Sequence, residues 1–166
     1  METSETIRSS FAGRETRFEG RSVVPAPLLY LGGIAAGWLL QQLRPLPIVA
    51  WLPGAWLGAL LIAGGFTVGL SGFLECRRCR TSVRPDRPSA AVVSTGIFRY
   101  TRNPMYLGFA IVQVGAALLI NSAWVLLLVV PAMVVTTSII AREEMYMERR
   151  FGEAYLVYKA SVPRWI

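Results

Sequence analysis

The chain has 166 residues, 54% hydrophobic and only 16% charged, yet its formal net charge is +7. Disorder needs low hydrophobicity, a small soluble domain scatters its charges along every element, and a nucleic-acid binder this basic would not be this apolar. An integral membrane protein is the class that remains.

Residues 1–22 read as a polar arm of mixed charge. Val23–Leu43 follows with 21 residues and no charge, and Ile48–Leu74 with 27. A spanning helix needs roughly 20 apolar residues, so each run reads as one span. Gly32, Gly33 and Gly37 lie in the first, and Gly54, Gly58, Gly65 and Gly69 in the second. Small residues at such spacings let helix backbones approach closely and point to packing. Pro53 is placed to start or kink the second span.

Residues 75–103 form the longest polar connection, interrupted by Pro85 and Pro88. Its Cys76-Arg77-Arg78-Cys79 is a lone CxxC. The chain has no histidine, so a four-ligand zinc site within it is excluded, and two incidental thiols are the simpler reading. Missing histidine also removes Ser-His and Cys-His catalysis.

Asn103-Pro104 reads as a helix start, with Asn at the cap and Pro at the first helical position. Pro104–Ala141 then runs 38 residues without charge. Asn121-Ser122 divides it into two spans of about 27 Å each. The last span continues into Arg142-Glu143-Glu144, and a short helix near Glu153–Lys159 presents Tyr155 and Tyr158 before Pro163.

The expected fold is therefore all-α: a membrane bundle of four transmembrane helices, at about 23–43, 48–74, 104–120 and 123–141. Residues 23–166 form one domain, with a polar loop at 75–103 and C-terminal helices at 142–160. Of the 17 basic residues, 16 fall on one side of these spans and only Arg44 on the other. Positive charge marks the cytoplasmic side, so both termini and the polar loop are expected there. The basic charge thus points to the membrane surface and not to nucleic acid. The oligomeric state is not readable from the residues.

If the last two spans form an antiparallel hairpin, the Arg102–Tyr106 turn faces Glu143 and Glu144. Arg102 with either acid reads as a structural ion pair or as part of a polar site at the membrane boundary. Arg99 and Arg102 beside a helix N-terminus make an anion-binding environment. Gln113, the one strongly polar side chain inside the third span, either lines a pocket or bonds a neighbouring helix.

The run Thr95-Gly96-Ile97-Phe98-Arg99-Tyr100-Thr101-Arg102-Asn103-Pro104-Met105-Tyr106-Leu107-Gly108 resembles a family signature. So does Arg142-Glu143-Glu144 followed by Phe151-Gly152-Glu153-Ala154-Tyr155 and Tyr158. Together they are similar to the isoprenylcysteine carboxyl methyltransferase and phospholipid methyltransferase superfamily of integral membrane enzymes. The resemblance covers about the C-terminal half, from Arg84 onward. It implies S-adenosylmethionine as cofactor, held by Gly96, Ile97, Tyr100, Asn103, Pro104, Met105, Tyr106 and one of Glu143 or Glu144. Arg102, Glu143 and Glu144 are implied near the transferred methyl, with Arg99, Gln113 and Tyr155 on the substrate side. The family often has His where this chain has Asn103, which cannot titrate.

The expected function is methyl transfer to a lipophilic, membrane-embedded acceptor at the cytoplasmic interface. That acceptor is a prenylcysteine-like carboxylate or a phospholipid amine. The alternatives are a nicotinamide-dependent membrane reductase and a non-catalytic lipid-binding scaffold.

Overall fold

The computed structural model describes residues 25–48, 53–79 and 92–166. The expected N-terminal arm and the stretch containing Pro85 and Pro88 lie outside the described residues. Among the described residues, six helices and one 3-10 turn form in order. They are α1 (Ala26–Leu43), α2 (Pro53–Arg78), the turn Gly96–Arg99, α3 (Pro104–Ile120), α4 (Ala123–Leu127), α5 (Val129–Phe151) and α6 (Glu153–Ser161). No strand occurs among the described residues, so the protein is all-α as expected.

Local chemistry sets the helix ends. Arg44 is extended at φ −143° and ψ 91°, as a residue before proline tends to be. Pro53 opens α2, and Arg77 and Arg78 sit in its last turn, where positive charge complements the carbonyl end. Glu75–Arg78, expected to begin the polar loop, are helical because nothing there breaks a helix. Asn121 ends α3 in the left-handed region at φ 54° and ψ 51°, which Asn tolerates. The Ser122 hydroxyl then accepts the Val125 N–H and starts α4.

Among the described residues, two helical stretches are long and apolar enough to cross a membrane: Gly54–Arg78, and Ala123–Phe151, which combines α4 and α5. Their most apolar windows are only 17% and 22% buried within the protein. A soluble core helix would be mostly buried. Large side chains such as Trp56, Leu60, Phe66 and Val134 are exposed instead. α3 is a shorter apolar helix.

The backbones of α2 and α3 approach closely, and glycine allows it. A Cβ on Gly58 would lie 2.7 Å from the Gly115 carbonyl oxygen, and one on Gly65 2.7 Å from that of Gly108. Next along the pair, a Cβ on Gly72 would lie 2.7 Å from the Pro104 ring. The seven-residue spacing in α2 keeps one face against α3 and seats the start of α3 beside the end of α2. On α1, Gly33 faces the Gln113 amide and Gly37 the Val125 backbone. The Tyr30 hydroxyl accepts from Thr136 Oγ1 at 3.2 Å, tying α1 to α5.

The two ends of the bundle differ. At one, the turn after α1 and the Asn121 turn are stitched by main-chain and side-chain bonds. Ala123 N–H donates to the Leu46 carbonyl, and Ile48 N–H to Asn121 Oδ1. At the other, a small separate core gathers Cys76, Val93, Phe98, Tyr155, Tyr158 and Val162. There the Tyr158 hydroxyl donates to the Phe98 carbonyl at 2.8 Å, anchoring the 3-10 turn to α6. Cys76 and Cys79 are free thiols packed in this core.

Candidate functional site

The polar groups of this second end converge on the start of α3. Pro104 occupies the first turn, as expected. Asn103 stands at the cap position, but its side chain makes no capping bond. Its Nδ2 donates instead to the Arg164 carbonyl at 3.0 Å. The C-terminal segment lies within reach and takes the amide, so the cap expected from the sequence is not formed by the side chain. The Asn103 N–H donates to Thr101 Oγ1 at 3.2 Å, and the Asn103 side chain leaves the positive first turn of α3 uncapped.

Glu144 is the electrostatic centre. It is buried, on α5, and surrounded by three cations. Arg164 bonds it side-on, Nε to Oε1 at 3.1 Å and Nη2 to Oε2 at 2.6 Å. Arg102 Nη1 is 3.0 Å from Oε1, and Lys159 Nζ is 3.8 Å from Oε2. Lys159 lies nearer to Glu148, at 2.5 Å. The Arg164 guanidinium is held above its ordinary pKa chiefly by its bond to Glu144.

The side chain of Arg102 is nine-tenths buried, yet its Nε–H and Nη1–H find no in-line acceptor among the described residues. Nη1 is near Glu144 as a charge but is not aimed at it. Tyr155 also touches this guanidinium. Burial, and then the charge of Glu144, push the Tyr155 hydroxyl above its ordinary pKa against the opposing bond to Arg102. Tyr155 is thus a neutral phenol at physiological pH.

Glu143, one residue away, faces a different neighbour. Its Oε1 accepts from the Tyr106 hydroxyl at 2.7 Å. Among the described residues no lysine or arginine pairs with it. Adjacent positions on a helix point about 100° apart, which separates a carboxylate held by cations from one held by a phenol.

The structure thus brings together Arg102, Asn103, Pro104, Tyr106, Glu143, Glu144 and Tyr155. Met105 packs near the end of α2, beside Gly72. Gly96 adopts φ +57° and lies against the Glu75 carboxylate, which also accepts from Thr95 Oγ1. Ile97 packs against the small core. Arg99 and Tyr100 are exposed, and neither is among the described partners of the acidic pair. Gln113 is not part of this cluster. It is fully buried, seven residues and about 10 Å further along α3. Its Nε2 donates to the Val125 carbonyl, while its Oε1 has no partner among the described residues.

Three residues at the cluster had no role in the sequence argument beyond charge or turn: Arg164, Lys159 and Thr101. Thr101 Oγ1 donates to the Arg164 carbonyl at 3.2 Å, and the Arg102 N–H to the Pro163 carbonyl at 3.0 Å. The available signal was basic residues flanking Pro163, just after a tyrosine-bearing helix. Among the described residues no group of His, Cys, Asp or Glu is arranged to hold a metal ion.

None of the curated proteins and none of the solved structures compared with this chain matches it. A family model does: that of phospholipid methyltransferase matches residues 54–154. The match runs from α2 through the Arg102–Tyr106 turn and the acidic pair into α6. It covers well over half of the chain, which therefore belongs to the phospholipid methyltransferase family.

Proposed function

We propose that this protein transfers a methyl group from S-adenosylmethionine to a lipophilic amine, at a site formed by the start of α3 and the acidic turn of α5. The observation that carries the reading is the meeting of two separated motifs. Tyr106 bonds Glu143, and Arg102 lies beside Glu144. Family membership supports the reaction class.

The residues fit the cofactor. The unused N–H groups of Arg102, in a nine-tenths-buried setting, suit the methionyl carboxylate, because charge-assisted bonds to arginine are strong and directional. The uncapped first turn of α3, with Pro104–Tyr106, adds to the same anion preference. Gly96, Ile97 and Tyr100 border this region and are assigned to the adenosyl side. When bound, the cofactor supplies a sulfonium methyl whose C–S bond breaks as the bond to the acceptor forms.

Glu143 decides between the acceptors. A carboxylate acceptor would meet the repulsion of an acid that no cation pairs among the described residues. An ammonium acceptor is attracted by it, and Glu143 takes the proton that frees the nitrogen lone pair. Tyr106 orients that carboxylate. Glu144 is engaged by Arg164, Arg102 and Lys159 and serves to hold Arg102 in place. Arg99 lies at the exposed edge, where it suits a lipid phosphate. Alignment of the two reactants is the protein's main contribution to rate.

The exposed apolar faces of α2 and α5 support a bilayer setting with α1, α2, α3 and α4–α5 as four spans. The site and both termini then lie on the arginine-rich, cytoplasmic side, where a lipid enters from the bilayer and the cofactor from water. The test is calorimetric binding of S-adenosylhomocysteine to purified protein in detergent. A measurable affinity that Arg102→Ala weakens supports the site, and no binding to the intact protein rejects it.

A further inference from the structure

We infer that Arg164, in the C-terminal segment, is a positioning residue that keeps Arg102 available to the cofactor by occupying Glu144. The inference rests on the proposed cofactor site. Its basis is a competition between two guanidinium groups for one carboxylate.

A carboxylate accepts one side-on guanidinium with both oxygens. Arg164 holds that position on Glu144, through Nε at 3.1 Å and Nη2 at 2.6 Å. Arg102 is left beside the same carboxylate, with Nη1 at 3.0 Å from Oε1 but pointed off line. Its charge is thereby neutralised in part, while its Nε–H and Nη1–H meet no acceptor among the described residues. A buried donor without an acceptor is costly to the protein, so it is poised to take one from a ligand.

The main chain fixes Arg164 for this task. Its carbonyl accepts from both Asn103 Nδ2 and Thr101 Oγ1, and the neighbouring Pro163 carbonyl accepts the Arg102 N–H. The C-terminal segment and the 101–103 turn are therefore one unit, with the two arginines at fixed positions on either side of Glu144. If Arg164 is removed, the in-line positions of Glu144 open. Arg102, already within 3.0 Å, rotates into them and withdraws its N–H groups from the cofactor.

The test measures S-adenosylhomocysteine affinity by calorimetry in the wild type, Arg164→Ala, Arg164→Lys and Arg164→Ala/Glu144→Gln, with thermal unfolding of each. Loss of Arg164 is expected to weaken binding about tenfold or more. Glu144→Gln on that background removes the charge that captures Arg102. It is expected to recover part of the lost affinity, binding more tightly than Arg164→Ala alone. A purely structural role for the segment predicts no such rescue. Arg164→Lys keeps the charge and the main-chain contacts but not the fork. It is expected to unfold like wild type and bind about threefold more weakly or worse.

Wild-type affinity in Arg164→Ala or Arg164→Lys overturns the inference. So does a double variant as weak as Arg164→Ala. Absence of binding by the wild type is a separate result: it rejects the cofactor site itself, and this inference with it.

Discussion

Tyr106 and Glu143 are 37 residues apart in sequence, and the tyrosine hydroxyl donates to the carboxylate at 2.7 Å. That bond joins the first turn of α3 to the point where α5 becomes charged. It leaves Glu143 held by a neutral partner, while its neighbour Glu144 is enclosed by cations.

This division gives the first prediction. Glu143→Gln keeps the size and the bond to Tyr106 but cannot accept a proton. Turnover of an amine acceptor at neutral pH should fall by about 10²–10⁴, with S-adenosylhomocysteine affinity nearly unchanged. Tyr106→Phe should lower turnover less. Initial rates measured beside calorimetry separate the two effects, and a matching loss of affinity in Glu143→Gln would count against the assigned role.

Arg102 is expected to behave in the opposite way. Arg102→Ala should weaken cofactor binding by about tenfold or more, and Arg102→Lys should not restore it, because an ammonium lacks the planar fork. Equilibrium binding checks this directly.

Much of this end of the protein is legible in the sequence because it is local. Pro53 and Pro104 begin helices, and Asn121-Ser122 marks a turn. Arg102 does meet an acid. The distribution of partners is not legible. Glu143 and Glu144 are adjacent letters, and only helix geometry shows that they face different neighbours. Asn103 reads as a cap because its local preference is for capping, and a carbonyl 61 residues away takes its side chain. The glycines read as close-packing sites, but their partners, Gly108 and Gly115 on α3, depend on tertiary packing.

That packing yields a paired prediction on stability. A side chain at Gly65 collides with the Gly108 carbonyl, whereas Gly64 faces open space. Gly65→Leu should destabilise the protein by about 1–3 kcal/mol or more. Gly64→Leu should stay within about 0.5 kcal/mol of wild type. Unfolding in detergent by denaturant titration distinguishes them, and equal losses would contradict the α2–α3 contact.

Tyr158 supports the site from below. Tyr158→Phe leaves the Phe98 carbonyl without its donor. A buried acceptor so exposed costs about 1–3 kcal/mol. Hydrogen exchange should quicken over Gly96–Thr101, and cofactor affinity should fall a little with it. Unchanged exchange there would show that α6 does not hold the turn.

The central claim is methyl transfer to a membrane lipid. The direct measurement is to incubate the purified protein in lipid nanodiscs with methyl-labelled S-adenosylmethionine and a membrane lipid extract, then resolve the lipid fraction. The account predicts label on the nitrogen of a lipid headgroup, formed with an equal amount of S-adenosylhomocysteine and abolished by Glu143→Gln. Cofactor binding without any label entering the lipid fraction would contradict it.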